Sequence, residues 1–350
     1  MKKNGAELSG IKEIARRANV SIATVDRVIH KRSGVSAATR DKITRIIGEL
    51  DYQPNLLARR LASRKIIHLA SLIPKVSEET SFWEAPLKGI HQAESEIRQY
   101  GIRIEKHFFD QNDKKSFAKQ SQALLKSRPD GILVAPSFVE EGLKFVESCR
   151  ELNIPYVFIN SDLPDQKSLC FIGPHVYKSG YLAGSLISYL VKETDRVLIV
   201  NIATEFEFLF KKEEGFMDYF KEHKKPNKIS RLNIHQIDPV SIEKTLSEEL
   251  GKLSDVRVIY VINSRVSMVA HYLKETGKDI LLIGYDFLKE NVDYLQQGYI
   301  DFLICQKPFD QAYRGIMALY QNLVLASPVE PIQFMPIDII TKENYSFYRN

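Results

Sequence analysis

Cysteine is scarce in this 350-residue chain, and the three present, Cys149, Cys170 and Cys305, show no C-x-x-C spacing. A disulfide scaffold is therefore excluded, and the three read as buried reduced thiols of a cytoplasmic protein. The eight histidines have no ligand spacing such as H-x-x-x-H, so no metal is expected. Long apolar runs are missing too. Stretches such as Val197 to Val200 and Ile280 to Ile283 are strand-length, far short of a membrane span. The start, MKKNGAELSG, is basic but leads into no apolar segment, so no signal peptide is expected. Glycine forms neither G-x-G-x-x-G nor a P-loop, and no G-x-S-x-G elbow occurs, so no cofactor and no enzymatic activity are expected.

What the chain does have is charge of one sign at one end. Residues 1 to 65 hold 15 Lys and Arg against 6 Asp and Glu, a net of +9, whereas the remaining residues carry a net of −4. A field of that sign suits a phosphate backbone. The same segment has helical patterning. Ile11, Ile14 and Ala15 line one face of a short helix, and Asn19 suits a left-handed break. Ser21 can cap a second helix, Ile22 to Ile29, buried through Val25, Val28 and Ile29. Ser36 caps a third from about Ala37 to Leu50. Two short helices around a tight turn, braced by a third, make a helix-turn-helix head over 1–52.

From Ile66 onward, short apolar runs alternate with amphipathic stretches. Strands are expected at Ile67–Ile73, Ile102–Phe108, Gly131–Ala135, Tyr156–Ile159, Leu169–Ile172, Arg196–Asn201, Arg231–Gln236, Val256–Ile262, Ile280–Tyr285 and Phe302–Cys305. Helices include Pro86–Tyr100, Glu140–Leu152, Ser179–Val191, Lys212–Lys221 and Asp310–Leu325. Continuous apolar strands separated by helices imply parallel sheets covered on both faces. Ten such strands fit two doubly wound, Rossmann-like α/β lobes with a ligand cleft at the strand C-termini. The expected body spans 66–350, with one lobe at about 66–168 and 302–327 and the other at about 169–301 and 328–350.

The head carries a dense set of matches at fixed spacing: Ala15, Ala18, Val20-Ser21, Thr24-Val25, Arg27-Val28-Ile29, Val35-Ser36, Thr39-Arg40, Tyr52, Pro54-Asn55, Ala58-Arg59 and Leu61. It resembles the head of the lactose-repressor (LacI/GalR) family of bacterial regulators. Asp26 and His30 depart from that pattern, replacing its usual Ser and Asn. The resemblance implies a body of the type 1 periplasmic-binding-protein fold, a two-fold homodimer on pseudo-palindromic double-stranded operator DNA, and a small effector that sets DNA affinity. It also implies that 53–65 is a hinge ordering on DNA, with Leu61 wedged between bases and Arg59 or Arg60 on phosphates.

On the second helix, Ser21 and Thr24 can hold phosphates, while Ile22, Ala23 and Arg27 point to the major groove. His30, Ser36, Asn55 and Ala58 complete the expected DNA-binding set. Asp26 either pairs with Arg16, Arg17 or His30 or accepts a hydrogen bond from cytosine. In the body, the resemblance points to Phe82-Trp83, Asn160-Ser161, His175, Lys212, Asn263, Asp286 and Gln306 as effector contacts. Each has a plainer alternative: a core or dimer-surface aromatic pair, a solvated helix start at Lys212, a helix cap at Asp286. The usual Asp-Arg pair is replaced by Asn160-Ser161, and Ser264 stands where an Asp is usual. The effector is expected to be a carbohydrate or related polar metabolite. The alternatives are a periplasmic-type binding protein without a DNA role and an α/β enzyme.

Overall fold

The computed structural model describes residues 10–29, 31–50, 52, 66–77, 80–163, 165–202 and 207–348. It divides into two compact units, Met1–Ala62 and Ser63–Asn350. The expected hinge, 53–65, lies outside the described residues, and with it Asn55, Ala58, Arg59 and Leu61; His30 does as well.

Among the described residues, the first unit has three helices, α1 (Ile11–Ala18), α2 (Ile22–Ile29) and α3 (Ala37–Glu49). Asn19 ends α1 in the left-handed region at φ 56°, ψ 49°, and its N–H donates to the carbonyls of Ala15 and Arg16. That conformation suits Asn, whose short polar side chain tolerates it better than a branched one. Ile14, Ala18, Val25, Val28, Ile43 and Ile46 from all three helices meet in one small core. Ser36 caps α3, its hydroxyl accepting from the Thr39 N–H at 3.3 Å.

Among the described residues, the second unit contains two six-stranded sheets. In chain order its strands are β1 (Ile67–Pro74), β2 (Ile102–Phe109), β3 (Gly131–Val134), β4 (Tyr156–Ile159), β5 (Cys170–Gly173), β6 (Arg196–Ile202), β7 (Lys228–Ile234), β8 (Val256–Val261), β9 (Leu281–Tyr285), β10 (Phe302–Cys305), β11 (Ile332–Phe334) and β12 (Asp338–Ile340). The first sheet runs β11-β5-β4-β3-β1-β2 and the second β12-β10-β9-β8-β6-β7. Within the second, β12 pairs antiparallel with β10; the other pairings are parallel. Each sheet thus repeats one doubly wound order, reversing direction beside its first strand. Ligands bind outside the strand C-termini at such a reversal.

The lobe boundaries differ from those expected. β5 and β11 belong to the first sheet, and β10 belongs to the second. The chain crosses between lobes near 174–175, 306–307 and 335–337, so each lobe borrows its last strands from beyond a crossing. Helix α12 (Pro308–Leu323) returns to the first lobe, where it packs on α4 (Glu84–Ile97). That approach is close enough that a Cβ on Gly89 would lie 2.3 Å from the Phe309 carbonyl oxygen. The intervening helices are α5 (Lys114–Lys126), α6 (Val139–Glu151), α7 (Val176–Ser188), α8 (Glu207–Glu222), α9 (Pro239–Lys252), α10 (Val266–Thr276) and α11 (Lys289–Gln297). Among the described residues, no helix is long and apolar enough to cross a membrane.

Candidate functional site

In the first unit, burial separates the two sides of α2. Val25 and Val28 face the core, whereas Ser21, Ile22, Ala23 and Arg27 are exposed and Thr24 is half-buried. Ile22 is 45% exposed, an unusual position for an aliphatic side chain unless another surface covers it. The Ser21 hydroxyl is already engaged, accepting from the Thr24 N–H at 3.1 Å and lying 2.9 Å from the Thr24 hydroxyl. It works first as the helix cap. Ser36 has the same role on α3 and is exposed.

Asp26 pairs with Arg32 at 3.3 Å, a partner the sequence reading did not name. Arg16 and Arg17 are drawn to Glu13 at 2.7 and 2.9 Å. Their hydrogen bonds hold the Glu13 carboxyl down at about 2. Arg16 and Arg17 precede Asp26 by more than two turns, whereas the chain leaving α2 brings Arg32 back beside it.

In the second unit, a cleft between the lobes holds about 800 Å³ of empty space, including its opening to solvent. It brings together seven of the nine expected effector residues: Phe82, Trp83, Asn160, Lys212, Asn263, Asp286 and Gln306. Each follows the C-terminal end of a strand, or begins or lies within the helix beyond it. Phe82 and Trp83 follow β1 and meet edge to face, centroids 5.1 Å apart. The Trp83 indole donates to Gln111 Oε1 at 3.3 Å.

Ser161 and His175 do not line the cleft. The Ser161 hydroxyl donates to the Pro136 carbonyl at 3.3 Å, turned into the first lobe. His175 caps α7 by accepting from the Lys178 N–H, and its ring lies 4.8 Å from that of Phe334. A helix start directly after a lobe crossing uses this side chain locally, which sequence matching alone did not reveal.

Lys212 is not a solvated helix start; it is only 4% exposed. Its backbone is wedged between helices, since a Cβ on Gly180 of α7 would fall 1.7 Å from the Lys212 carbonyl oxygen. Its ammonium donates to the Ile262 carbonyl at 2.9 Å and sits 3.4 Å over the Tyr285 ring. That ring is fixed through its hydroxyl, which accepts from the Ser179 hydroxyl at 2.9 Å and shares a hydrogen bond with the Tyr260 hydroxyl at 2.7 Å. Burial pushes the Lys212 ammonium down to about 8, with the Asp286 charge opposing the shift.

Asp286 follows β9 in the left-handed region, φ 73°. It does not cap α11, where Leu288 holds the cap position. Its carboxylate instead accepts from Gln306 Nε2 at 3.2 Å. Burial pushes the carboxyl up to about 6, with Lys212 and Gln306 opposing. Asn291, fully buried, fixes the turn by donating to the carbonyls of Ser264, Tyr285 and Asp286. Asn263 is tied up structurally, donating to Asn201 Oδ1 and the Ile202 carbonyl and accepting from the Arg265 N–H.

The sequence reading missed Arg265, which lines the cleft at 5% exposure and donates to the Ile202 carbonyl. Gln111, Ser137 and Thr80 were missed as well. Each lies just beyond a strand end, and that position was the available signal. The arrangement offers an aromatic wall, amide groups and three buried charged side chains, Lys212, Arg265 and Asp286, to a compact polar ligand.

Residues 70–325 match the model of the periplasmic binding protein domain, and residues 10–55 match that of the lacI family of bacterial regulatory proteins. The chain is 28% identical over 187 residues to the HTH-type transcriptional regulator RegA of Clostridium acetobutylicum, covering 53% of this chain and 52% of that one. The chain thus spans about half of that relative's length. To the probable HTH-type transcriptional repressor ExuR of Bacillus subtilis it is 26% identical over 285 residues, covering 79% of this chain and 81% of the relative. A crystal structure from Bacteroides fragilis, assigned to the LacI transcriptional regulators, superposes with TM-score 0.76 at 31% identity. It covers 81% of this chain and 100% of that one. A solute-binding protein of an ABC transporter from Burkholderia graminis, in complex with D-arabinose, shares the fold at TM-score 0.73 and 15% identity, covering 82% of this chain and 99% of that one.

Proposed function

We propose, on the premise that this chain belongs to the lacI family of bacterial regulatory proteins and carries a periplasmic-binding-protein body, that it is a cytoplasmic transcriptional repressor whose operator affinity is set by a carbohydrate-like effector. One observation carries the DNA half: Ser21, Ile22, Ala23 and Arg27 form an exposed face on a helix whose other side is locked into a core. Arg27 pairs with a guanine edge, and Ile22 and Ala23 meet thymine methyl groups. Two heads, one from each copy of a homodimer, read the two halves of a pseudo-palindrome. Asn55, Ala58, Arg59 and Leu61, outside the described residues, contact the duplex as the hinge segment.

The cleft supports the effector half. Phe82 and Trp83 cover the apolar face of a ring, while Lys212, Asp286, Asn160 and Gln306 take its hydroxyl groups. Buried charges facing a cavity favour a ligand that supplies the hydrogen bonds they lack. The fold of the D-arabinose complex is consistent with a ligand of this size. The effector changes operator affinity only insofar as it binds the two lobe arrangements unequally.

The test begins with selection of bound sequences from random DNA by the full chain. A palindromic consensus is expected, and recovery of no consensus would refute the DNA role. A thermal-shift screen of sugars and sugar derivatives against the same chain then seeks a ligand. Absence of any stabilising compound among them would count against the carbohydrate class.

A further inference from the structure

We propose that Glu290, which does not line the cleft, is a positioning residue for it, latching through Ser81 the loop that carries Phe82 and Trp83. The importance of that loop rests on the effector reading given above; the latch itself rests on geometry. Ser81 belongs to the first lobe, between β1 and α4, and Glu290 is the second residue of α11 in the second lobe. The Ser81 hydroxyl donates to the Glu290 carboxylate, 3.2 Å from each oxygen. A hydroxyl placed between both oxygens of one side chain makes a two-point contact, and here it joins the lobes across the cleft.

Both ends of the latch are tied to the cleft. On the first lobe, Ser77 and Thr80 form an antiparallel bridge, Thr80 Oγ1 accepts from the Phe82 N–H at 3.2 Å, and the Ser81 carbonyl accepts from the Glu84 N–H at 3.0 Å. Ser81 cannot shift without carrying the aromatic pair. On the second lobe, Glu290 is followed by Asn291, whose buried amide holds the carbonyls of Tyr285 and Asp286. A bond between Ser81 and Glu290 therefore fixes the aromatic wall relative to the turn that presents Asp286. It registers the two halves of one site, and its loss favours a more open population.

Trp83 is the only tryptophan of the chain and is 4% exposed, so acrylamide quenching of its fluorescence reads the loop directly. The measurement uses the full chain without DNA or ligand. Ser81→Ala and Glu290→Ala should each raise the quenching constant about twofold or more as the loop is released. Glu290→Gln keeps an acceptor for the hydroxyl and should stay close to the parent. The double variant should rise no further than either single one, because both break the same bond. Quenching unchanged in both single variants, or additive increases in the double, would overturn the latch. Ser81→Ala removes a single oxygen from a half-buried position, so it keeps the test valid if Glu290→Ala proves unstable. Since neither effector nor operator is present, failure here is distinct from failure of the effector reading, which shows only as operator affinity indifferent to every cleft ligand.

Discussion

Replacing Asp286 with Asn tests the electrostatics of the cleft without altering its shape. Asn tolerates the left-handed backbone at 286 and can still accept from Gln306. In the parent protein, burial raises the carboxyl from 3.8 to about 6. The native chain therefore holds this proton more tightly than the unfolded chain does. The neutral acid escapes the burial cost, and stability falls as pH climbs from about 4 through about 6. A change of that size corresponds to on the order of 3 kcal/mol. Lys212, pushed down to about 8 with the Asp286 charge opposing, stays largely protonated over this range in the parent, and Asn at 286 removes that opposition and lowers it further. Carboxylates elsewhere titrate alike in both proteins, so the difference between their curves reports position 286 together with its effect on Lys212. Thermal unfolding of parent and variant between pH 4 and pH 7 should show the variant gaining roughly 4–5 °C relative to the parent across that range. The same variant should lose ligand stabilisation, because an amide does not replace a carboxylate acceptor beside Lys212. Parallel curves at every pH would refute the claim that the carboxylate is held at a cost.

Gly180→Ala should destabilise the body by about 1–3 kcal/mol or more through overpacking against the Lys212 backbone. Gly251→Ala, with open space around it, should be neutral or stabilising by about 0.5–1 kcal/mol in the same melt. Ser36→Ala should cost about 1 kcal/mol through loss of the α3 cap, read as about fivefold faster hydrogen exchange of α3 amides. Arg27→Ala should leave the melt unchanged but weaken discrimination at one base pair per half-site by about 1–3 kcal/mol, measured by competition with operator variants.

The head was legible because its signals are local. Helix period, the left-handed Asn19 and the Ser21 and Ser36 caps lie within a few residues of what they control. Asp26 was harder, because its partner Arg32 depends on how the chain leaves α2. In the body, strand positions could be read from apolar runs, but lobe membership could not. β5, β10 and β11 look like their neighbours in composition, and only the three crossings decide which sheet receives them. The short strands β11 and β12 lack a long apolar run and escaped notice. Among the cleft residues, Lys212 allowed a solvated helix-start reading and Asp286 a helix-cap reading; burial resolved the first and the Leu288 cap the second. His175 and Ser161 failed because a fixed distance from a strand end does not fix the direction of a side chain. Arg265 was overlooked because an arginine at a helix start reads as solvated until the fold closes around it.

The central claim is that occupancy of the cleft governs binding by the head. The direct measurement is operator affinity of the full chain, by fluorescence anisotropy, with and without a saturating ligand found by thermal shift, in the parent and in Asp286→Asn. The account predicts a change of about 5- to 150-fold in the parent, the range of ordinary coupling energies, and little or none in the variant. A ligand that binds the cleft tightly in the parent yet leaves its operator affinity unchanged would contradict it.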